Sequence, residues 1–340
     1  MFMQIQENIS LRPYNSFGIN AFARYFAVFS SVQELGALLE AKPIRNRPLL
    51  ILGGGSNILL TRDFEGAVLK NEQKGIELIR EDSDYCYVKA GAGERWHDLV
   101  RYCVDQNYAG IENLSLIPGS AGAAPIQNIG AYGVELKDCF YELEAYSLPD
   151  RTIHRFSLTD CEFGYRDSFF KKAGKDQFVI LNICLRLNKT PVFHTGYGSL
   201  EKELEKNGEQ PLSIQAISRA VIAIRTGKLP DPEKIGNAGS FFKNPEIPLQ
   251  KFIELQKDFP GIVGYPAGDS GIKLAAGWLI EQCGWKGYRK GDAGVHAAQA
   301  LVLVNYGNAS GKELYMLSEN IMESVRRKFG VILEREVNIL

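Results

Sequence analysis

The chain has 340 residues, 45% of them hydrophobic, which is enough to bury several cores and makes a multi-domain protein the expectation. Its 39 Lys and Arg residues balance 40 Asp and Glu residues, so no overall field attracts nucleic acid or an anionic membrane. The longest apolar runs, such as Leu301–Val304, are strand-sized and far too short to span a bilayer. The first ten residues lack the basic start and apolar centre of a secretory signal. We therefore expect a soluble, cytoplasmic protein without nucleic-acid or membrane partners.

Cysteines and histidines give no sign of a metal centre. The six cysteines are scattered through apolar contexts without a CxxC pair, so we expect reduced, mostly buried thiols. None of the four histidines has a second one four residues away, the spacing that places two imidazoles on one helical face. The sequence thus predicts that no metal takes part in the chemistry.

In the first half of the chain, short helices and strands alternate. The sequence Ser31-Val32-Gln33-Glu34 predicts a capping box that starts a helix running to about Lys42. Apolar runs predict strands at 49–52, 67–70 and 85–90, and helical spacing of apolar residues predicts a helix from Trp96 to about Gly110. The runs 141–147 and 178–187 alternate apolar and polar residues, which favours strands of a mixed or antiparallel sheet.

Helices are expected to dominate the second half, after a change of composition at 188–210. Ser213 is predicted to cap a helix that stops before Gly227, and a second helix is expected over Ile272–Cys283. A capping box at Ser310–Glu313 predicts a helix that ends at Gly330, followed by a final strand at 331–340. The predicted domain limits are 1–66, 67–210, 211–330 and 331–340.

Glycine-rich segments are the first candidates for a binding site. Gly53–Asn57 directly follows an apolar strand, and its three glycines allow positive φ and close approach of the backbone to an anion. The segment has neither the Walker pattern nor the third glycine of a Rossmann fingerprint. It favours a diphosphate cradle, and a plain turn between two strands is the alternative.

The second glycine-rich segment, Ile117–Gly133, has small side chains wherever a flat ligand needs contact with the backbone. Its Gly, Ala, Pro and Asn content predicts no regular helix or strand of any length. Since so long a loop is costly to order without a ligand, binding is favoured over an idle loop. Two such loops suggest a dinucleotide with two phosphates and a ring.

Five segments in register resemble the UDP-N-acetylenolpyruvoylglucosamine reductases, over the chain from about Asn15 onward. They are Gly53–Asn57, the loop 118–133, Glu162–Ser168, Gly239–Pro245 and Leu333–Val337. The resemblance implies an α+β protein in which two small α/β subdomains, of the kind found in vanillyl-alcohol oxidase, bind FAD ahead of an α/β substrate domain. It also implies NADPH as electron donor, UDP-N-acetylglucosamine enolpyruvate as substrate and a role in peptidoglycan precursor synthesis.

Three residues take catalytic roles under this resemblance. Arg166 is expected to stabilise the negative charge that hydride addition pushes into the substrate carboxylate. Ser240 resembles the family's proton donor, and Glu336 resembles the acid that polarises the carboxylate, for which burial must keep it protonated. The alternatives are an arginine paired with Asp167 or another acid, a turn serine, and a surface carboxylate beside Arg335.

The remaining site residues are also carried over from the family. Those implied to bind FAD are Gly53, Gly54, Gly55, Ser56, Asn57, Ile117, Pro118, Gly119, Ala123, Gln127, Gly130 and Arg166. Those implied to bind substrate are Tyr132, Tyr165, Tyr197, Lys228, Asn244 and Gln299, with Tyr197 in the loop of the family's loop-bearing variant. Ala123 and Ala124 stand where relatives often carry hydroxyls, so we expect weaker or differently tuned FAD binding.

Two other functions are weighed against this one. A flavin oxidase of the same superfamily would need a base and an oxygen path, which the set Arg166, Ser240 and Glu336 does not favour. A non-catalytic nucleotide-sugar binding protein would tolerate loss of that set, and all three residues are present. We expect a monomer.

Overall fold

The computed structural model describes residues 4–208, 211–268 and 271–340. The α-helices in these residues are α1 (Val32–Glu40), α2 (Trp96–Asp105), α3 (Gly198–Asn207), α4 (Ile214–Lys228), α5 (Leu249–Asp258), α6 (Ala276–Gln282) and α7 (Gly311–Phe329). Short 3-10 helices lie at Arg12–Tyr14, Glu112–Leu114, Ala121–Gln127, Leu136–Asp138 and Phe169–Lys171.

The strands in the same residues follow in chain order. They are β1 (Gln6–Ser10), β2 (Phe22–Phe29), β3 (Leu49–Leu52), β4 (Ile58–Leu59), β5 (Phe64–Asn71), β6 (Ile76–Glu81), β7 (Tyr85–Gly91), β8 (Gly130–Ala131), β9 (Val134–Glu135), β10 (Phe140–Ser147), β11 (Ile153–Ser157), β12 (Phe178–Asn188), β13 (Gly236–Asn237), β14 (Glu246–Pro248), β15 (Gly264–Ala267), β16 (Gly271–Leu274), β17 (Arg289–Lys290), β18 (Ala293–Val295), β19 (Leu303–Asn305) and β20 (Asn338–Ile339).

The first of two compact units comprises the N-terminal stretch to Ile9, Ala23–Gly54 and Glu65–Gly227. It contains a four-stranded sheet of order β1-β2-β5-β3, in which β3 and β5 are parallel, and an antiparallel sheet of order β11-β10-β12-β7-β6. One core joins α1 and the smaller sheet to Tyr146, Val179 and Leu181 of the larger sheet. The buried face of α2 contributes to a second core with the larger sheet.

The second unit comprises Ser10–Phe22, Gly55–Phe64 and Lys228–Leu340. Its sheets have the orders β13-β19-β18-β17 and β14-β16-β15, and β20 pairs in parallel with β4. The long helix α7 packs on β18 and β19 and buries the apolar stripe that includes Leu314, Ile321 and Val325.

The helix caps predicted from neighbouring residues are confirmed. Ser310 and Glu313 form the predicted capping box of α7, which ends at Gly330 with φ +62°. Ser31 caps α1 by accepting from the Glu34 amide, although the Glu34 carboxylate accepts from the amide of Ser30 instead of Ser31. The predicted strands at 49–52, 67–70, 85–90, 141–147 and 178–187 all lie in strands, and the larger sheet is antiparallel.

Five element predictions are wrong. The helix expected from Trp96 to about Gly110 is shorter, because α2 ends at Asp105 and Gln106 already leaves the helical conformation. Residues 271–274 form β16, because they pair with strands on both sides, so the expected helix is limited to α6. The helix α4 runs through Gly227 to its last residue, Lys228. The glycine-rich loop contains a seven-residue 3-10 helix, since small residues wind tightly even around Pro125. In the tail, the predicted strand is reduced to β20.

The expected domain limits remain a proposal, and the limit at Gln210 lies outside the described residues. Within residues 4–208, 211–268 and 271–340, no helix is both long and apolar enough to cross a bilayer.

Candidate active site

Two glycine-rich loops of the first unit touch backbone to backbone. A Cβ added to Gly54 would lie 2.8 Å from the Cα of Gly119, and one added to Gly53 would collide with the side chain of Ser120. Of the three glycines in the first loop, Gly55 has the predicted positive φ, +62°, whereas Gly53 and Gly54 do not. Glycine is therefore required at 53 and 54 because the second loop lies against them.

The hydroxyl of Ser120 lies at this contact and was not among the residues predicted from the sequence. Ser120 is 6% exposed, and its Oγ has no hydrogen-bond partner among the described residues. A buried hydroxyl without a partner is costly, so an oxygen-rich ligand that accepts from it would stabilise this arrangement. The sequence gives no signal for it, because a serine after a glycine is usually a turn residue.

The start of α2 holds the second loop in place. The Trp96 amide donates to the Gly119 carbonyl at 3.0 Å, and the Ala121 amide donates to the Glu94 carbonyl at 2.8 Å. Along the loop, Ile117 and Gln127 are half-buried, whereas Pro118 and Ala123 are exposed. The side chain of Ala123 offers no polar atom, so contacts there must come from the backbone.

Arg166 is held over the second loop by a tight turn. Its φ of +52° is rare for a residue with a side chain, and the turn is closed by hydrogen bonds between Gly164 and Asp167. The guanidinium donates to the carbonyl of Gly130, and its Nη1 lies 3.9 Å from Glu135 Oε1. A Cβ on Gly130 would lie 3.0 Å from Arg166 Nη1 and 3.0 Å from the Val134 carbonyl oxygen, so a side chain there would crowd the guanidinium.

The neighbouring side chains fix the turn further. The Arg166 guanidinium lies 5.2 Å from the centre of the Tyr165 ring, and Asp167 pairs with Lys172 at 2.6 Å. Asn128, which is fully buried, donates from its Nδ2 to Glu135 Oε2 and to the Gly164 carbonyl, both at 3.0 Å. Asn128 thus ties the acid beside Arg166 to the turn that carries Arg166, a link that no local pattern predicts.

Two of the tyrosines predicted to bind substrate form a pair. The rings of Tyr132 and Tyr197 meet edge to face with centres 5.6 Å apart, and Tyr197 is 52% exposed. The buried Asn113 donates from its Nδ2 to the carbonyls of Tyr132, at 2.9 Å, and His194, at 2.8 Å. Burial raises the pKa of Tyr132, so its hydroxyl stays protonated and can donate.

In the second unit, Ser240 and Glu336 lie on paired stretches of chain. The Glu336 amide donates to the Phe241 carbonyl at 2.9 Å, and the Lys243 amide donates to the Glu334 carbonyl at 2.9 Å. Both Ser240 and Glu336 are half-buried. The two segments that carry Ser240 and Glu336 are therefore paired although they are far apart in sequence.

Asn57, which lies in the second unit, hydrogen-bonds to the segment of Glu336. Its Nδ2 donates to the Glu336 carbonyl at 3.2 Å, and its own carbonyl accepts from the amide of Asn338 at 3.1 Å. On the same loop, Gly55 packs against the carbonyl of Tyr14, and Ser56 is half-buried. The second unit thus places the end of the first glycine loop beside Glu336.

The three other residues predicted to bind substrate in this unit have different surroundings. Asn244 Oδ1 accepts from the Ala276 amide at 3.0 Å, at the start of α6. Gln299 Oε1 accepts from the Leu301 amide at 3.4 Å, and Lys228 is exposed at the end of α4. The side-chain amides of Asn244 and Gln299 keep their NH₂ donors for other partners.

The fold and these loops define an FAD-dependent oxidoreductase. Residues 23–157 match the model of the FAD binding domain, and residues 231–340 match that of the UDP-N-acetylenolpyruvoylglucosamine reductase C-terminal domain. A UDP-N-acetylenolpyruvoylglucosamine reductase from Amoebophilus asiaticus is 51% identical over 99% of this chain and 100% of its own length. One from Pseudomonas putida is 48% identical over the full length of both chains. The chain belongs to the UDP-N-acetylenolpyruvoylglucosamine reductase family.

Solved structures agree on the fold. The reductase from Thermus caldophilus superposes with a TM-score of 0.70 at 23% identity, with 99% of each chain covered. A 6-hydroxy-D-nicotine oxidase from Arthrobacter nicotinovorans has a TM-score of 0.51 at 12% identity, covering 98% of this chain and 87% of its own. The predicted fold class, with an FAD-binding region of the vanillyl-alcohol-oxidase kind ahead of a substrate domain, is confirmed.

The residues of the first unit fit FAD. The contact between Gly54 and Gly119 leaves no room for a side chain, and the unpartnered Ser120 hydroxyl is a donor in need of an acceptor. A diphosphate supplies such oxygens, and glycine backbones allow its close approach.

Proposed function

We propose that this chain reduces UDP-N-acetylglucosamine enolpyruvate to UDP-N-acetylmuramate for peptidoglycan synthesis, with FAD bound and NADPH as electron donor. The full-length relatives carry the name of that reductase, and residues 23–157 and 231–340 match the two family models. We further propose that it acts as a cytoplasmic monomer on this small-molecule substrate.

The observation that carries the proposal is the pairing of the Ser240 and Glu336 segments. The bond from the Glu336 amide to the Phe241 carbonyl brings the backbone of Glu336 next to the residue that follows Ser240. A reductase of an enol ether needs one group that delivers a proton to carbon and one that hydrogen-bonds the adjacent carboxylate. An alcohol oxidase would instead need a base to take a proton from its substrate.

The residues divide the work of the reaction as follows. FAD held by the two glycine-rich loops, once reduced by NADPH, would supply the hydride for the terminal carbon of the double bond. The electron pair of that bond moves toward the carboxylate, where the Arg166 guanidinium stabilises the charge. The Ser240 hydroxyl gives its proton to the other carbon, so that one hydride and one proton saturate the bond. Glu336 is proposed to hydrogen-bond the carboxylate and stabilise the same charge, a role that requires its protonated form.

Binding is assigned to the two loops and to a set of polar side chains. The backbones of Gly53–Asn57 and Ile117–Gly119, with Ala123, Gln127, Gly130 and Arg166, are proposed to hold FAD. For the nucleotide-sugar we propose Tyr132, Tyr165, Tyr197, Lys228, Asn244 and Gln299. The edge-to-face contact of Tyr132 with Tyr197 supports a role for this pair in covering the substrate.

Anaerobic stopped-flow absorbance of the flavin band tests the proposal. NADPH should bleach the band, and addition of UDP-N-acetylglucosamine enolpyruvate should restore it rapidly. Recovery only on admission of oxygen would favour an oxidase, and a chain that takes up no flavin would be a binding protein.

The role of Ser240 has its own test in the same experiment. Ser240→Ala should leave reduction by NADPH intact and slow reoxidation by substrate by roughly 100-fold or more. Ser83→Ala, on the exposed surface, serves as the matched control. Equal losses in both half-reactions would mean that Ser240 is structural.

A further inference from the structure

Leu116, the residue before Ile117, has a backbone conformation that side chains rarely adopt. Its φ is +59°, in the left-handed region that favours glycine. Two side chains bind its peptide groups: His97 Nδ1 accepts from the Leu116 amide at 3.0 Å, and Arg225 Nε donates to the Leu116 carbonyl at 3.2 Å. A strained residue persists when its surroundings hold it, and these two side chains do so.

The residues just before Leu116 are hydrogen-bonded to the two helices that carry His97 and Arg225. His97 lies in the first turn of α2 and Arg225 near the end of α4. On α2, Trp96 Nε1 donates to the Leu114 carbonyl at 3.0 Å. On α4, the Ser218 hydroxyl lies 2.8 Å from the Ser115 hydroxyl. Side chains of α2 and α4 therefore determine where the loop begins.

The contact with His97 depends on its protonation state. An imidazole nitrogen accepts a hydrogen bond only when it carries no proton, so the bond requires a neutral ring with the proton on Nε2. Burial lowers the pKa of His97 most, and the positive charge of Arg101 on the same helix lowers it further. Arg95 and Arg225 lower it as well, and Asp98 raises it. The surroundings thus favour the accepting form, and a protonated ring would lose the bond to Leu116.

We propose that His97 is a positioning residue that, with Arg225, holds Leu116 for FAD binding, and that protonation of His97 weakens FAD binding. The inference rests on the proposed assignment of Ile117–Gly119 to FAD. Because the neutral form makes the bond, affinity is full above the pKa of His97 and falls as the pH drops through it, below the usual value of 6.5.

The test is a titration of apoprotein with FAD, followed by flavin fluorescence between about pH 8 and about pH 5. The dissociation constant of the wild type should rise roughly tenfold at the acid end, the effect of losing one hydrogen bond. H97N keeps an acceptor near Nδ1 and cannot titrate, so its affinity should stay near that of the wild type and be independent of pH. H97A should bind weakly at every pH.

H154N is the matched control, since His154 is an exposed histidine paired with Asp150 on the larger sheet. It should show the same pH profile as the wild type. A wild type without pH dependence, or an H97N variant that keeps it, overturns the proposal.

A second measurement uses the unaltered protein. Binding is reciprocal, so FAD that prefers neutral His97 must lower the pKa of one of the four histidines in a ¹⁵N NMR titration. No change in any histidine overturns the inference without recourse to a variant. Gly119→Val tests the assignment of the loop separately. If this variant binds FAD normally, the proposed flavin site is wrong. If it loses FAD while the affinity of the wild type does not depend on pH, only the role of His97 is overturned.

Discussion

Gly54→Ala tests whether the contact between the two glycine loops shapes the flavin site. The added Cβ would lie 2.8 Å from Gly119 Cα, 3.2 Å from Gly119 C and 3.5 Å from Ser120 N. All three are backbone atoms, so no side chain can rotate away and the loops must separate. Overpacking of this kind costs about 1–3 kcal/mol. If FAD binding requires the native distance between the two loops, this free energy is lost from binding. At 1.4 kcal/mol per tenfold, the dissociation constant of FAD then rises roughly five- to 150-fold.

The assay is FAD titration of apoprotein, together with thermal unfolding of the apo and holo forms. Gly36→Ala is the matched control, because it adds the same methyl group within α1 at an ordinary 3.9 Å from the Tyr146 hydroxyl. It should leave FAD affinity unchanged and raise stability by up to about 1 kcal/mol, as helix propensity predicts. Gly54→Ala with normal FAD affinity would refute the reasoning, since the loops would then tolerate separation without effect on the cofactor.

Three further changes have expected outcomes of their own. Ser120→Ala should weaken FAD binding roughly five- to tenfold if the buried hydroxyl donates to the cofactor, without destabilising the apoprotein; unchanged affinity in the titration would exclude that bond. Asn113→Leu, which removes the bonds to the Tyr132 and His194 carbonyls, should lower the free energy of unfolding in urea by about 1–3 kcal/mol, and a loss near zero would show that the two carbonyls need no such donor. Burial raises the pKa of Glu112, so its contribution to stability is present at acid pH and lost as pH rises through that raised value; Glu112→Gln should therefore be more stable than the wild type at neutral pH, and denaturation curves with equal midpoints there would contradict this.

The sequence predicted those elements whose cause is local. The capping box of α7 and the cap of α1 need only residues within one turn, and both are present. The helix expected from Ile272 failed because β14 and β15, which come from elsewhere in the chain, pair with residues 271–274. An apolar run of this length fits either structure, and its partners decide which one forms.

The same division holds for the candidate site. Motifs identified the glycine loops, Arg166, Ser240 and Glu336, since these residues lie in short recognisable segments. The side chains of His97, Asn113 and Asn128 hold the second glycine loop and the turn of Arg166 in place. They bind backbone groups and have no sequence pattern of their own. Their roles depend on hydrogen bonds to residues distant in sequence, which only the folded structure shows.

The glycines of the first loop are needed for reasons that differ between the sequence motif and the structure. The sequence argument required flexible backbone that meets an anion, and Gly55, at φ +62°, fits it. Gly53 and Gly54 do not have positive φ, and the second loop occupies the space of their missing side chains. Their small size therefore serves the packing of one loop on another, and through it the shape of the proposed FAD site. A substitution there should weaken FAD binding by moving the second loop, because the added side chain would collide with Gly119 or Ser120.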